Sequence, residues 1–397
     1  MPPRRVLISS SWNDARQTLR PARAATRLVS VAALLFALAT PLDSAIAQRQ
    51  TALPSGIGCV ACRVVAQRTA VISDETVTGE ALDGIPFSMA RAGDGRVYFI
   101  PAHFRPLVFS PAQGTLRQFS RSGSGPGEFM TPTRLFVQND GRLAMLDPPQ
   151  LRLTVFTDSA RPLSTRRIPG KLSPEAVLLE DSVSVYNASV NSPEAIGFPF
   201  HTIGADGNFA RSFGARTQMR KPEDGAQLRR RLAPSRGQRF WAARELRYEI
   251  TEWSATGQPL RTITRRPSWF PPAERFESAT ATRPFTPFVT AIRATGDDIL
   301  WMLVAVPGKN YASGLGSGTR STDGVMRYPI TSHARHYDTV IEVIDLKSAT
   351  VLASQRLPGH FAYFLDDEHV ANYDEAEDGT PRVEIWRLTL TGLPAGR

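Results

Sequence analysis

The sequence predicts an all-β chain that folds as a six-bladed β-propeller of four-stranded antiparallel blades, preceded by a signal peptide. Three observations support this prediction. No long apolar stripe with the 3.6-residue period of a helix occurs between Ser73 and the C-terminus. Short runs of β-branched and aromatic residues alternate there with Gly, Asp, Asn and Pro, as in strands and turns. A strand-turn-strand unit also recurs six times.

The first 47 residues have the features of a secretory signal. They contain six arginines and only two acidic residues, and residues 28–39 are apolar except for Ser30. This run is shorter than the roughly 20 residues that a membrane-spanning helix needs. Ala45 and Ala47 occupy the positions that a signal peptidase reads, so we predict cleavage before Gln48 and a periplasmic or secreted protein. Arg4 and Arg5 leave twin-arginine export as an alternative.

The remaining chain has 41 basic and 35 acidic residues, a net charge of +6. Because this excess is modest and an exported protein seldom meets nucleic acid, we expect no nucleic-acid partner. The one dense cationic run, residues 229–231, is interpreted as a solvated loop, with an anion or nucleic-acid contact as the alternative. No second apolar segment approaches transmembrane length, and we expect a monomer with no membrane span after cleavage.

Six repeats define the propeller domain, which we place at residues 69–393. The repeated units cover residues 93–109, 139–156, 178–207, 238–257, 295–344 and 365–388. Residues 69–78 are expected to close the ring by pairing with residues 383–388. Residues 48–68 form a predicted linker, and residues 394–397 a tail. A two-sheet sandwich also explains the strands, but it does not explain their sixfold repetition.

A glycine-rich stretch at residues 120–129 raises the question of phosphate binding. A phosphate loop needs a strand before the glycines and a helix after them, and no amphipathic helix follows here. We therefore interpret the stretch as the junction between the first two blades, with Phe129 as an apolar plug and Glu128 bonding turn amides or an arginine. The predicted structural residues are Gly123, Gly125, Pro126, Gly127, Glu128 and Phe129.

This junction resembles that of bacterial six-bladed β-propeller proteins related to the NHL-repeat group. The resemblance covers residues 123–147 closely and residues 151–156 as the third strand, and the other units match only in outline. The resemblance implies the fold and an exported protein, but it implies almost nothing about chemistry. Residues 147–149 read Asp-Pro-Pro, where the relatives have an acidic residue followed by polar ones.

Cys59 and Cys62 form a CxxC pair shortly after the predicted cleavage site. Arg63 stands where a haem-attachment motif has His, and two further zinc ligands are missing nearby. We predict a local structural disulfide, with a redox-active or metal-recruiting pair as the alternative. His333 and His336 are interpreted as surface histidines, since they lie in a predicted loop without an accompanying Glu.

Two functional hypotheses remain, and no catalytic residue is assigned. The first is a non-catalytic binding or scaffold protein that recognises a protein, peptide or saccharide on the top face of the propeller and needs no cofactor. Its candidate contacts lie around the insertion at residues 309–324: Arg265, Arg266, Trp269, Tyr311, Arg320 and Arg327. A disordered surface insertion is the alternative interpretation of that segment.

The second hypothesis is a metal-dependent hydrolase or lyase. Propeller lactonases that resemble regucalcin hold a divalent metal at the inner ends of their blades, and Ca²⁺ would suit such oxygen ligands. This chain offers Asp94, Asn139, Asp140 and Asn372 near such ends, with Asp147 and Asp374 as further acidic candidates. Turn chemistry explains the same Asp and Asn residues without a metal.

Overall fold

The computed structural model describes residues 49–393 except 83, 102, 138–141, 158–160, 170–174, 180–183, 189–191, 205, 220, 221, 297, 323 and 377. The predicted signal peptide and the predicted tail lie outside these residues. Within them, six sheets surround one channel, which confirms the six-bladed propeller. The described residues contain no helix with the length and apolarity needed to cross a membrane.

Three strands precede the first blade and form what we call the N-terminal strap, residues 49–79. They are β1 (Arg49–Ala52), β2 (Arg63–Ile72) and β3 (Thr78–Gly79). Strand β1 adds in parallel to the outer edge of blade 4, and β3 adds in parallel to the outer edge of blade 1. Between them, the Gly58 N–H donates to the Val351 carbonyl of blade 5 at 2.8 Å. The strap therefore covers edges that would otherwise expose unpaired backbone groups.

In the first three blades, the strands follow one another from the channel outwards. Blade 1 has β4 (Ser88–Arg91), β5 (Val97–Ile100), β6 (Leu107–Ser110) and β7 (Thr115–Gln118). Blade 2 has β8 (Arg134–Val137), β9 (Leu143–Asp147), β10 (Arg152–Phe156) and β11 (Pro162–Arg167). Blade 3 has β12 (Glu175–Leu178), β13 (Ser184–Asn187), β14 (Phe200–Ile203) and β15 (Phe209–Phe213).

The other three blades follow the same order. Blade 4 has β16 (Arg230–Pro234), β17 (Arg239–Arg244), β18 (Glu249–Ser254) and β19 (Pro259–Thr264). Blade 5 has β20 (Phe288–Thr295), β21 (Ile299–Pro307), β24 (Tyr337–Asp345) and β25 (Thr350–Pro358). Blade 6 has β26 (His360–Phe364), β27 (His369–Glu375) and β28 (Pro381–Thr391), with β2 as its outermost strand.

The insertion in blade 5 has structure of its own. It holds a 3-10 turn at Tyr311–Gly314, a short hairpin of β22 (Thr319–Arg320) and β23 (Met326–Arg327), and the single-turn helix α1 (His333–His336). Two further 3-10 segments lie at Pro148–Gln150 and Pro222–Leu228. The insertion packs on blade 5 through a small apolar cluster that includes Phe285 and Tyr337.

Strand β2 closes the ring by pairing antiparallel with β28, from Arg63 opposite Thr391 to Ile72 opposite Val383. The closing strand thus begins six residues before the predicted segment at residue 69, and both β1 and part of β2 occupy the predicted linker. The blades also depart from the four-stranded prediction at blades 1 and 4, which gain a fifth, parallel strand from the strap.

Apolar side chains fill the spaces between neighbouring blades. Each of the six interfaces has its own buried cluster in the described residues, and the blade 1 and blade 2 cluster contains Phe129 and Phe156. Phe129 is 1% exposed, and its ring centroid lies 5.7 Å from that of Phe156. Burial of a ring of this size contributes about 2 kcal/mol.

The glycine-rich stretch is a blade junction in the structure. The Gly125 N–H donates to Glu128 Oε2 at 2.9 Å, and the Arg152 guanidinium donates to the Ser124 and Gly125 carbonyls at 3.3 and 3.2 Å. At Gly127, φ is +75°, and a Cβ would lie 2.6 Å from Pro162 Cγ. Since the loop bonds to its own chain through both amide and carbonyl groups, it has the architecture of a blade junction.

Candidate functional site

The central channel is a cavity of about 750 Å³, lined by the innermost strands of all six blades. These strands run in the same direction, so the channel has two distinct ends. We call the end where the strands begin the strand-start end; the first residues are Ser88, Arg134, Glu175, Arg230, Phe288 and His360. The opposite end, near Arg91, Arg293 and Asp366, is the strand-finish end.

Two arginines share one carboxylate at the strand-start end. Glu175 Oε1 lies 2.9 Å from Arg231 Nη1 and 3.4 Å from Arg134 Nη1. Arg231 also bonds Glu245 at 2.7 Å and the Val289 carbonyl at 3.1 Å. The Arg134 and Arg231 side chains are 23% and 26% exposed, whereas Glu175 is 10% exposed. All three side chains line the channel, and the two cations are more exposed than the carboxylate.

Polar contacts at this end also link neighbouring blades. Ser88 Oγ accepts from the Leu135 N–H at 3.0 Å between blades 1 and 2, and Thr290 Oγ1 donates to the Phe361 carbonyl at 3.0 Å between blades 5 and 6. Tyr363 donates to the Pro86 carbonyl between blades 6 and 1. Together with the Arg134, Glu175 and Arg231 contacts, these bonds hold the inner strands at fixed positions, as a binding site requires.

The strand-finish end uses a different arrangement of charges. Arg91 Nη1 lies 2.7 Å from Asp366 Oδ2, and His369 Nδ1 lies 2.9 Å from Asp366 Oδ1. Arg293 pairs with Asp367, whose side chain is 62% exposed. Each arginine here has its own acid, so the strand-finish end is charge-balanced through separate pairs.

An aromatic and histidine cluster lies beside the strand-start end. The His360 ring stacks on Tyr337 at a centroid distance of 4.3 Å, and the His333 ring stacks on His360 at 5.9 Å. Burial, with the nearby positive charges of His333, His336 and Arg231, lowers the pKa of His360 to about 3. Burial also raises the pKa of Tyr337 to about 12. His360 is therefore neutral at pH 7.

The prediction that His333 and His336 are surface residues is wrong. They are 5% and 2% exposed, and His333 Nδ1 lies 2.6 Å from Glu375 Oε1, an acid supplied by blade 6. The His333 backbone N–H also donates to Glu375 Oε2 at 3.0 Å. Burial alone would raise the pKa of Glu375, but the bonds from His333 outweigh it and lower that pKa. The acid was missed because it lies 42 residues away in the sequence.

The predicted binding residues before β20 have mixed environments. Arg265 is 9% exposed; it pairs with Glu342 and donates to the Ser55 carbonyl at 2.7 Å, so it fastens the N-terminal strap to blade 4. Trp269 is half-buried and stacks on Phe270 at 5.9 Å. Arg266 is exposed. Arg265 is thus occupied by structural contacts.

The predicted binding residues in the insertion lie apart from the central channel. The Tyr311 carbonyl lies 3.1 Å from His336 Nδ1, so Tyr311 belongs to the insertion's own packing. Arg320 and Arg327 are exposed on the short hairpin. Tyr311, Arg320 and Arg327 are not among the residues that line the central channel.

Of the residues offered for a metal, the two that the structure describes, Asp94 and Asn372, do not meet. Asp94 lies in the turn after β4 at the strand-finish end, where it pairs with Arg96 at 2.6 Å. Asn372 pairs in register with Phe361 near the strand-start end and donates to Glu384 at 3.2 Å. Asn139 and Asp140 lie outside the described residues. In the part of the chain that the structure describes, no group of three or more His, Cys, Asp or Glu side chains is arranged to hold a metal.

Two further acids considered from the sequence also have partners. Asp147 is fully buried and accepts from the Met130 N–H at 2.8 Å, at the entry to blade 2. Asp374 pairs with Arg382 at 2.6 Å. Cys59 and Cys62 form a disulfide in the strap, where both sulfur atoms lie near the Gly392 carbonyl at the end of β28.

Sequence reasoning missed Arg134, Glu175 and Arg231 as a group. Residues 229–231 were interpreted as a solvated loop, but Arg231 lies in the innermost strand of blade 4, where Glu175 and Glu245 contact it. The usable signal was a charged residue at or next to the start of three successive inner strands. That signal is visible only when the strand boundaries are known to within one residue.

Comparisons with known proteins support the fold. No family model and no curated protein matches this chain. A member of the DUF4221 family from Bacteroides vulgatus is similar, with a TM-score of 0.56, 9% identity, and coverage of 84% of this chain and 99% of that one. Because the identity is so low, this likeness shows the propeller fold alone.

Two other solved structures are more distant. An exported protein from Bacteroides fragilis has a TM-score of 0.47 and 12% identity, with coverage of 86% of this chain and 99% of that one. Virginiamycin B lyase from Staphylococcus aureus has a TM-score of 0.41 and 12% identity, with coverage of 83% and 100%. Neither likeness bears on the chemistry of the channel.

Proposed function

We propose that the chain is an exported, non-catalytic propeller that binds a peptide or saccharide at the strand-start end of its central channel. The observation that carries this proposal is the channel itself: a cavity of about 750 Å³ with partly exposed guanidinium groups on rigid inner strands. Phe87, Phe288 and Tyr363 add aromatic surface to its lining. Apolar walls with a few placed polar groups are typical of ligand sites.

Export is supported by the sequence features of residues 1–47 and by the disulfide. A cross-link between Cys59 and Cys62 persists in an oxidising compartment, such as the periplasm or the extracellular space. The alternative, a metal-dependent hydrolase or lyase, receives no common site from Asp94 and Asn372, which lie at opposite ends of their blades. We therefore favour binding over catalysis.

A blocking variant tests the proposal. Ala362 lines the channel on the innermost strand of blade 6, so Ala362→Trp would fill part of the cavity. We expect peptides or oligosaccharides that raise the melting temperature of the wild-type protein to lose this effect in Ala362→Trp. Ala210→Trp, on the exposed outer strand of blade 3, is the matched control and should keep it. Equal stabilisation of both variants would place binding outside the channel.

A further inference from the structure

We infer that the ligand at the strand-start end carries a carboxylate, which Arg134 binds directly while Arg231 positions Glu175 beside it. This inference rests on the proposed function, because it assigns a ligand class to the same channel. Its basis is the unequal use of hydrogen-bond donors by the two arginines.

Each of the three guanidinium nitrogens of Arg231 donates a hydrogen bond to the protein. Arg231 contacts Glu175, Glu245 and the Val289 carbonyl at 2.9, 2.7 and 3.1 Å. These three bonds connect blades 3, 4 and 5, so Arg231 is already occupied. We therefore assign Arg231 a positioning role, in which it holds Glu175 in place and adds positive charge to the channel wall.

Arg134 uses its guanidinium incompletely. A guanidinium has five N–H donors, and the hydrogen bond that Arg134 makes in the described residues is a long one to Glu175, at 3.4 Å. Its buried Nε makes no hydrogen bond there. The guanidinium carbon lies 5.9 Å from the Phe136 ring centroid, a contact that supports the side chain without using its donors.

A second arginine of the same blade shows the contrast. Arg152 is also beside an aromatic ring, at 5.6 Å from the Phe129 centroid, but its terminal nitrogens donate to the carbonyls of Ser124, Gly125 and Glu128. Arg152 is therefore a structural arginine at the blade junction. Among the residues that the structure describes, Arg134 has no such carbonyl partner; it lines the channel and is 23% exposed.

The local charge favours an anion. Arg134 and Arg231 share a single oxygen of Glu175, and Arg231 and Arg229 share Glu245, so three guanidinium groups are paired with two carboxylates. A planar carboxylate matches the fork of N–H groups on a guanidinium and can accept two bonds from it. Such a carboxylate is found in a peptide C-terminus or in the uronic acid of a saccharide.

Isothermal titration calorimetry with four probes tests this inference. The probes are a hexapeptide with a free C-terminal carboxylate, the same peptide amidated, trigalacturonate, and the neutral trisaccharide maltotriose. We expect one carboxylate probe to bind at least about tenfold more tightly than its neutral counterpart, since charged hydrogen bonds are roughly twice as strong as neutral ones. Which carboxylate probe binds distinguishes the peptide source from the saccharide source.

Two arginine variants test whether Arg134 is responsible for the preference for the carboxylate probe. Arg134→Gln should remove the preference for the carboxylate probe, with a loss of affinity of about tenfold or more. Arg275→Gln removes the same charge from a side chain that is 80% exposed, and it should leave the affinity unchanged. Adding salt should weaken binding of the charged probe in the wild-type protein more than in Arg134→Gln.

The outcomes separate the inference from the proposed function. Neutral probes that bind as tightly as the carboxylate probes, with sensitivity to Ala362→Trp, would overturn the inference and leave channel binding intact. Carboxylate binding that survives Ala362→Trp would overturn both. Absence of carboxylate binding in the wild-type protein, up to millimolar probe, would also overturn the inference. A circular-dichroism melt of each variant verifies that the propeller is folded.

Discussion

The two ends of the central channel use similar residues in different ways. At the strand-start end, Arg134 and Arg231 from different blades converge on one oxygen of Glu175, and the carboxylate is largely buried. At the strand-finish end, Arg91 and Arg293 each pair with a separate, more exposed acid. The two ends therefore differ in the number of acids per arginine, since Arg134, Arg229 and Arg231 share two acids whereas Arg91 and Arg293 have one each, and they differ in the burial of those acids.

Of the substitutions that test the contrast between the ends, Glu175→Ala should lower the free energy of unfolding the most. Replacing Glu175 with Ala leaves two arginines without their shared acceptor in a mostly buried position, and we expect a loss of about 3 kcal/mol in the free energy of unfolding. Urea denaturation of the mature chain measures this. Glu175→Gln, which retains an oxygen acceptor, should lose distinctly less. An equal loss in both variants would contradict the role assigned to the acceptor atom.

The second effect concerns pH at the strand-start end. The pKa of His360 is about 3 in the folded chain, against an ordinary value of 6.5 for a solvated histidine, so the unfolded chain takes up a proton that the folded chain excludes. Stability should therefore fall as the pH decreases from 6.5 towards 3. Denaturation at about pH 7.5 and about pH 5 should show a smaller loss in His360→Gln than in the wild-type protein.

Some pH dependence should remain in that variant. Burial also lowers the pKa of His201 and of His336, so these residues resist protonation in the folded chain as well. The test is thus the difference between the two slopes. Identical slopes for the wild-type protein and His360→Gln would show that His360 is freely protonated in the folded state.

At the strand-finish end, Asp366 should have an intermediate effect. It accepts from the Glu368 and His369 N–H groups at 2.8 and 2.7 Å and pairs with Arg91 at 2.7 Å. Asp366→Ala should cost about 1 to 2 kcal/mol, because the turn between β26 and β27 loses its acceptor. Thermal denaturation checks this, and Asp366→Asn, which can still accept in the turn, should recover most of the loss.

The smallest effect is expected at Asp367. Its side chain is 62% exposed, and its pair with Arg293 lies near solvent. Asp367→Ala should change the free energy of unfolding by less than about 0.5 kcal/mol, since exposed ion pairs contribute little. A loss as large as that of Glu175→Ala would remove the proposed difference between the two ends.

The sequence revealed much of the fold because strand repeats and turns are local signals. The units at residues 93–109 and 139–156 contain adjacent strands whose order follows directly from the chain, and the glycine-rich junction follows the same local logic. The N-terminal strap was harder to predict from the sequence. Residues 49–52 pair with blade 4 over a separation of more than 200 residues, and no local pattern encodes such a pairing.

The candidate site was harder to predict because its residues come from separate blades. Arg134, Glu175 and Arg231 lie on three successive blades, and the packing of neighbouring blades brings their side chains together. The loop interpretation of residues 229–231 was wrong, because the last two residues of the cationic run begin strand β16. Arg265, which the sequence suggested as a ligand contact, is bonded in the structure to Glu342 and to the strap.

The sharpest test of the difference between the channel ends is a calorimetric titration of the preferred carboxylate probe into the wild-type protein, Arg134→Gln and Arg91→Gln. Both variants remove one positive charge from the channel lining. We predict a loss of about tenfold or more for Arg134→Gln and a change within about twofold for Arg91→Gln. Equal losses, or a larger loss for Arg91→Gln, would contradict a ligand site at the strand-start end.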